Sequence, residues 1–414
     1  MFGRRRAARA GAGMLGRGRA ARAGAGMLVL TAAAGCSAAG RGDASPGAGS
    51  RPASTACVIV ALKAIRVGSQ PGPLVITPDG KTVYVANANS GTVTPIRVAT
   101  NTALRPIVVG DANSGPSAIA VTPDGRTVYV ADLSGVVVPI RTATGTALRR
   151  ITVGQFPEGI VITPDGKTAY VLNWNPFGST GTVTPIRIAT NTALRPIPVG
   201  LQSGVTAIAI TPDGRTVYVT NPGSGTVTPI RTATGTALRP IRTGLTPSQI
   251  AITPDGAMAY VSDFDSGTVT PIRVATNTAL RPIRVGVRPA GIAVSPDGRT
   301  VYVTAVTANP VSQRGTVTPV SVAAGRAGTP ILAGFGPIAL VVAPDGRTLY
   351  ASNYQGNTVT PIRTATGTAL PPVTVGTQPD AMAITPDGRT VYVVHYSNDD
   401  GPGYVTPIRT CARR

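Results

Sequence analysis

Residues 211–221 read TPDGRTVYVTN, and residues 225–231 read GTVTPIR. In Thr-Pro-Asp-Gly, proline presets φ and glycine accepts a positive φ, so the stretch predicts a tight turn. The VYVT that follows is rich in β-branched and aromatic residues and predicts a strand; GTVTPIR predicts a second. An apolar run at 207–211 precedes the turn, and ALRPI at 237–241 follows a Thr-Gly-Thr turn at 234–236. One unit therefore reads as four short strands, A to D, with no helical periodicity anywhere in it.

The unit recurs. Pro-Asp-Gly ends at Gly80, Gly125, Gly166, Gly214, Gly256, Gly298, Gly346 and Gly388, spaced 41 to 48 residues apart. Eight four-stranded units of this size are the pattern of β-propeller blades. Composition agrees. Gly (50) and Pro (38) are plentiful enough for many turns, 42% of residues are hydrophobic, only 13% are charged, and Glu158 is the sole glutamate. A long helical protein would need far more Glu and Lys.

Tyr-Val-Thr-Asn at 218–221, with Thr-Pro-Asp-Gly before it and Gly-Thr-Val after it, resembles the YVTN-repeat β-propeller family, itself likened to surface-layer and lactonase-type propellers. The resemblance covers 57–411. It implies a propeller and an extracytoplasmic location, and no single activity. Seven blades are common in such relatives; eight repeats predict an all-β, eight-bladed propeller here, with seven as the alternative.

The ring has to close. Residues 58–68 align with strand D (Leu62 with Leu104, Val67 with Val109), whereas the last unit stops after its strand C at 404–410. The first strand is expected to complete the last blade. Cys57 and Cys411 fall at this seam, and a disulfide between them is expected, although strict ladder pairing sets Cys57 against Arg414. Strand C poses a problem of its own. Pro95, Pro185 and Pro229 sit inside what should be an internal strand, so either a bulge lies there or strand D has left the ladder.

Residues 1–35 read as an export signal. An Arg-rich segment precedes a short apolar run, which suits a signal-peptide core and is too short to span a bilayer. The run ends AAGCS at 33–37, similar to a lipoprotein cleavage site with Cys36 as the lipidated residue, although Ala33 replaces the usual Leu. Residues 3–15 and 16–28 are a near-exact duplication, which makes Met14 a second candidate start. Residues 36–56 read as a flexible tether and 57–414 as the propeller. The net charge is +21 (38 Lys and Arg against 17 Asp and Glu). Two readings of it stay open: affinity for anionic neighbours, or a solvated self-repelling surface.

The A–B and C–D turns hardly vary between units, whereas the D–A and B–C connections vary greatly. In an up-and-down blade those variable connections share one face. Eight of the eleven tyrosines are the repeated strand-B Tyr and read as core. The other aromatics of the domain, Phe156, Trp174, Phe177, Phe264, Phe335, Tyr354, Tyr396 and Tyr404, lie in or beside the variable connections. Loops on a rigid scaffold carry binding residues, and aromatics anchor partners. Glu158 and Asp380 occupy one repeat position at the mouth of the central channel, and His395 opens the loop that holds Asp399 and Asp400. The candidate binding residues are thus Phe156, Glu158, Trp174, Phe177, Phe264, Tyr354, Asp380, His395 and Tyr396.

Catalysis finds little support in the residue types. His395 is the one histidine, no serine has a nucleophile-elbow context, and no set of His and Cys has zinc-ligand spacing. No metal or cofactor site is implied. The arginines lie on blade flanks apart from the aromatics, which argues against nucleic-acid binding. The expected protein is an exported monomer at the outer face of the cytoplasmic membrane or outside the cell. It would reach the membrane only through a lipid anchor and bind an envelope protein, a glycan or a small molecule. A lactonase-type hydrolase at the channel mouth and a structural surface-layer component are the alternatives.

Overall fold

The computed structural model of the chain describes residues 58–110, 115–174, 180–200, 207–307, 313–396 and 401–411. The segments read as leader (1–35) and tether (36–56), with Cys36, Cys57, Phe177, Asp399 and Asp400, lie outside the described residues. Those described form eight antiparallel sheets, one per repeat. The seven-bladed alternative is therefore set aside.

Blade 1 shows the plan. Strand A is Pro71–Ile76, strand B Thr82–Asn87 and strand C Thr92–Arg97. The A–B turn is closed by the Thr77 hydroxyl, which donates to the Asp79 carboxylate (2.6 Å) and accepts the Thr82 N–H (3.1 Å). Gly80 sits in it at φ +70°, where a side chain would be strained. The Asp79 pKa is lowered, chiefly by the Thr77 hydroxyl.

Strands B and C pair without a break, from Thr82 against Arg97 to Asn87 against Thr92. Strand C itself carries no bulge at Pro95. Instead the outer strand is split into Thr102–Ala103 and Ile107–Val108. Their registers, Ala103 opposite Ile96 and Ile107 opposite Val93, leave Leu104, Arg105 and Pro106 facing Thr94 and Pro95. The Pro95 carbonyl accepts the Leu104 N–H (2.7 Å), so the polar edge of Pro95 points outward. Its missing N–H is on the side where the outer strand has already parted from the ladder. Every blade repeats this, from Leu62 on Pro407 to Leu370 on Pro361. The irregularity lies in strand A, whose register shifts between Pro71 and Leu74.

Both faces of each blade are buried, which explains why VYV is apolar at consecutive positions. Val83 and Val85 pack with blade 8, Tyr84 with blade 2. One core cluster fills each of the eight junctions. All eight strand-B tyrosines are at most 5% exposed, as their sequence position predicts. Several hydroxyls reach the next blade: Tyr129, Tyr218 and Tyr392 donate to Asn191, Asn277 and Asn101, each at 2.6 Å. Those asparagines hold left-handed φ values in the C–D turns, a conformation Asn tolerates.

The seam closes as expected. Val60–Ala61 and Ile65–Ser69 pair with the last strand, Pro402–Arg409, with Val60 opposite Arg409 and Ile65 opposite Val405. Ile65, Val67 and Val405 join Leu74, Val83 and Tyr392 in a core like the other seven. The Val60 register differs from the sequence reading by two residues, because the pairing slips by one between the two short strands and by one more between Arg66 and Ser69.

Candidate functional site

The variable connections meet on one rim. The first residue after strand B donates its N–H to a carbonyl of the D–A connection: Ala88 to Gln70, Leu133 to Gly115, Trp174 to Phe156, Phe264 to Thr246, Tyr354 to Gly336 and Tyr396 to Thr377, at 2.8–3.1 Å. The residue before the strand-A proline is left-handed in these units, with φ +44° at Phe156, +54° at Thr246, +49° at Arg288 and +51° at Gln378. Non-glycine residues at such φ are held there by surrounding structure. Trp174, Phe264, Tyr354 and Tyr396 occupy one repeat position, which Ala88, Leu133, Pro222 and Val306 fill in the other blades. Four expected aromatic positions are thus a single structural position used four times.

Three local groups result. The Phe156 and Trp174 rings meet edge to face, centroids 6.0 Å apart. Arg288 of blade 6 places its guanidinium 6.0 Å from the Phe264 ring of blade 5. At the junction of blades 7 and 8, Tyr396 donates its hydroxyl to Asp380 (3.0 Å) and Tyr354 donates to Gln378 (3.1 Å). Burial raises the Asp380 pKa, and the Tyr396 hydroxyl partly offsets this. Burial and the nearby Asp380 charge raise both Tyr354 and Tyr396. The pair presents a hydrogen-bonded carboxyl, less acidic than an exposed one, beside a phenol. Such a group can bind a polar ligand or exchange a proton with one.

Glu158 and Asp380 are each the second residue of strand A, in Pro157–Ile162 and Pro379–Ile384, and each is half-buried. They belong to blades 3 and 8, so the structure sets them at equivalent rather than adjacent places. Among the described residues no three His, Cys, Asp or Glu side chains gather as a metal site.

His395 departs from expectation. It does not open onto the rim; it ends strand B of blade 8 and is 5% exposed. Its Nε2 shares a hydrogen bond with the Thr406 hydroxyl (2.9 Å), and its ring stacks on Tyr404 at 5.8 Å. Burial lowers its pKa. In blade 1 the same place holds Asn87, whose amide donates to the hydroxyls of Thr92 (3.1 Å) and Thr94 (2.9 Å). Asn173, Asn221 and Asn353 do likewise, and Asp263 accepts from Thr268 and Thr270. His395 is the blade-8 form of this internal clasp. Alignment of YVVH at 392–395 with YVTN at 218–221 carries that signal. Sequence reading also passed over Gln378, which orders Tyr354, and Arg288.

A family model described as Lactonase, 7-bladed beta-propeller matches residues 179–284, from the start of strand C in blade 3 to the outer strand of blade 5. No curated protein matches the chain. Among solved structures, Kuenenia stuttgartiensis hydrazine synthase is similar, with 22% identity and a TM-score of 0.58. The match covers 84% of this chain and 97% of that one. That likeness is one of fold.

Proposed function

We propose that the chain is an exported, envelope-associated propeller that binds its partner through the loop-bearing rim. The supporting observation is the fourfold use of one repeat position for Trp174, Phe264, Tyr354 and Tyr396, on the rim where the chain varies. The strands beneath provide a rigid support, and aromatic anchors on such a support suit a protein surface or a glycan. The basic charge favours anionic envelope polymers as neighbours. The leader at 1–35, with Cys36 as lipid acceptor, and the tether at 36–56 would hold the rim outside the membrane.

A Cys57–Cys411 bridge belongs to the same reading. The described seam pairs Val60 with Arg409, two residues before Cys411. The test of the rim is capture from envelope extract by the full chain. Recovery of a partner by wild type and its loss in the Trp174→Ala, Tyr396→Ala double variant are expected. Equal recovery by both would refute the rim as binding face.

A second reading rests on the lactonase-like match at 179–284 and on the Asp380–Tyr396 pair. Here the channel mouth hydrolyses a lactone, with Glu158 or Asp380 positioning water. Turnover of a simple lactone that is abolished by Glu158→Ala or Asp380→Asn would favour it over the first.

A further inference from the structure

A cleft of about 730 Å³ opens between blades 5 and 6, bordered by Phe264, Arg284, Arg288, Thr316, Thr318 and Gly328. Its volume is in the range of small-molecule sites. Comparison with the other blades shows why it exists. The residue that ends strand B is Asn, Asp or His in seven blades and Ala305 in blade 6. Without an amide there, Thr316 lacks the clasp that Asn87 gives Thr92, and Thr318 turns to the Val285 carbonyl (2.8 Å). The outer strand departs too. Where six blades have Leu after the first outer segment (Leu104, Leu148, Leu194, Leu238, Leu280, Leu370), and the seam strand has Leu62, blade 6 has Gly328. A Cβ on Gly328 would meet Pro319 alone, at 3.3 Å from its ring, so a side chain here needs a small shift of that proline. Of these two breaks in the repeat, Gly328 borders the cavity itself, and Ala305 lies behind it, opposite the lining residue Thr316 in the ladder.

The walls have a distinct chemistry. Arg284 and Arg288 are exposed, and the salt bridges among the described residues all join a turn aspartate to its neighbouring Lys or Arg, so neither arginine is neutralised by one. Asp265 also borders the cleft, its carboxylate accepting the Thr246 hydroxyl, so the walls carry two cations against one anion. Arg288 lies over Phe264, which leaves a cation beside an aromatic ring.

We propose that this cleft is a binding site for a small organic anion, one that carries a planar apolar ring on a phosphate or carboxylate. The anionic group meets Arg284 and Arg288 through charge-assisted hydrogen bonds, the Thr316 hydroxyl supplies a further polar contact, and the ring packs against Phe264. The site shares Phe264 and Arg288 with the loop rim, but the rim's reading is tested at Trp174 and Tyr396, so the two can fail separately.

The test is calorimetric titration of the full chain with phenyl phosphate, with inorganic phosphate as comparison. Phenyl phosphate is expected to bind at least about tenfold more tightly than phosphate, since only it uses both the arginines and the ring. Arg284→Ala with Arg288→Ala should weaken it by about tenfold or more. Ala305→Asn with Gly328→Leu returns blade 6 to the repeat, keeps the fold and should abolish binding; unchanged thermal unfolding verifies the fold. Wild-type affinity in either double variant, or phenyl phosphate binding no better than phosphate, overturns the proposal.

Discussion

The two rims of the ring are made by the same chain under opposite demands. On the Pro-Asp-Gly rim, Thr77, Thr122, Thr163, Thr211, Thr253, Ser295 and Thr385 each donate to the aspartate two residues on, at 2.5–2.6 Å. On the loop rim the described aromatic and charged contacts differ from blade to blade, and a shared side-chain arrangement is local, as where Ser90 and Ser266 accept the N–H groups of Ser69 and Leu245. Phe156 and Trp174 touch each other, Arg288 touches Phe264, and Asp380 touches Tyr396. Only the backbone hydrogen bond beneath them is common. The first rim is a device for turning the chain; the second is free to differ because the turn is secured one layer below.

One deletion and three substitutions test that division. The largest effect is expected at the seam. Deleting 58–69 removes Ile65 and Val67, each 7% exposed and each worth about 1.5–3 kcal/mol of burial. It also bares the edge of the last strand. A Tm lower by roughly 10 °C and self-association in size-exclusion chromatography should follow. Next, Thr77→Ala takes two hydrogen bonds from one uniform turn and should cost about 1 kcal/mol in denaturant unfolding. The same change should weaken the acid dependence of stability. Asp79 has a lowered folded pKa, so its contribution is present above 3.8 and is lost as pH falls through the folded value.

On the diverse rim, Trp174→Ala should shift unfolding by under about 1 kcal/mol despite its larger size, because its ring lies outside the blade junctions. A greater loss there than for Thr77→Ala would break the comparison. The smallest effect is expected for His395→Asn, which restores the repeat clasp. The folded pKa of His395 lies below 6.5, so the unfolded chain takes up a proton first as pH falls. Wild type should therefore lose stability from pH 7 downward through 6.5 relative to the variant, the gap levelling at the folded value. Paired melting curves at pH 8 and pH 5.5 measure it.

The repeat made the blades, their number and the closing strand readable in advance, because hydrophobic pattern and turn chemistry agree at each of eight places. Leu62 was matched to Leu104 on sequence alone, and both donate to the equivalent proline carbonyl. The split of the outer strand was present only as the puzzle of Pro95, since sequence does not tell which edge of a strand residue faces a neighbour. His395 was misread because a lone histidine draws attention to its chemistry, whereas its place in the repeat assigns it to the interior. The cleft beside Phe264 depends on Ala305 and Gly328, small residues that signify nothing until eight blades are laid over one another. The Tyr354–Gln378 contact required three-dimensional knowledge of which blades adjoin.

The pairing of Val60 with Arg409 has a kinetic consequence. The earliest described strand to be synthesised finds its partner only after almost the whole polypeptide exists, so seven sheets can mature in order while the eighth waits. Such a long-range contact is slow to form and leaves an unsatisfied edge during the delay. Spontaneous opening should begin at the same place, with the last bond made being the first to give way.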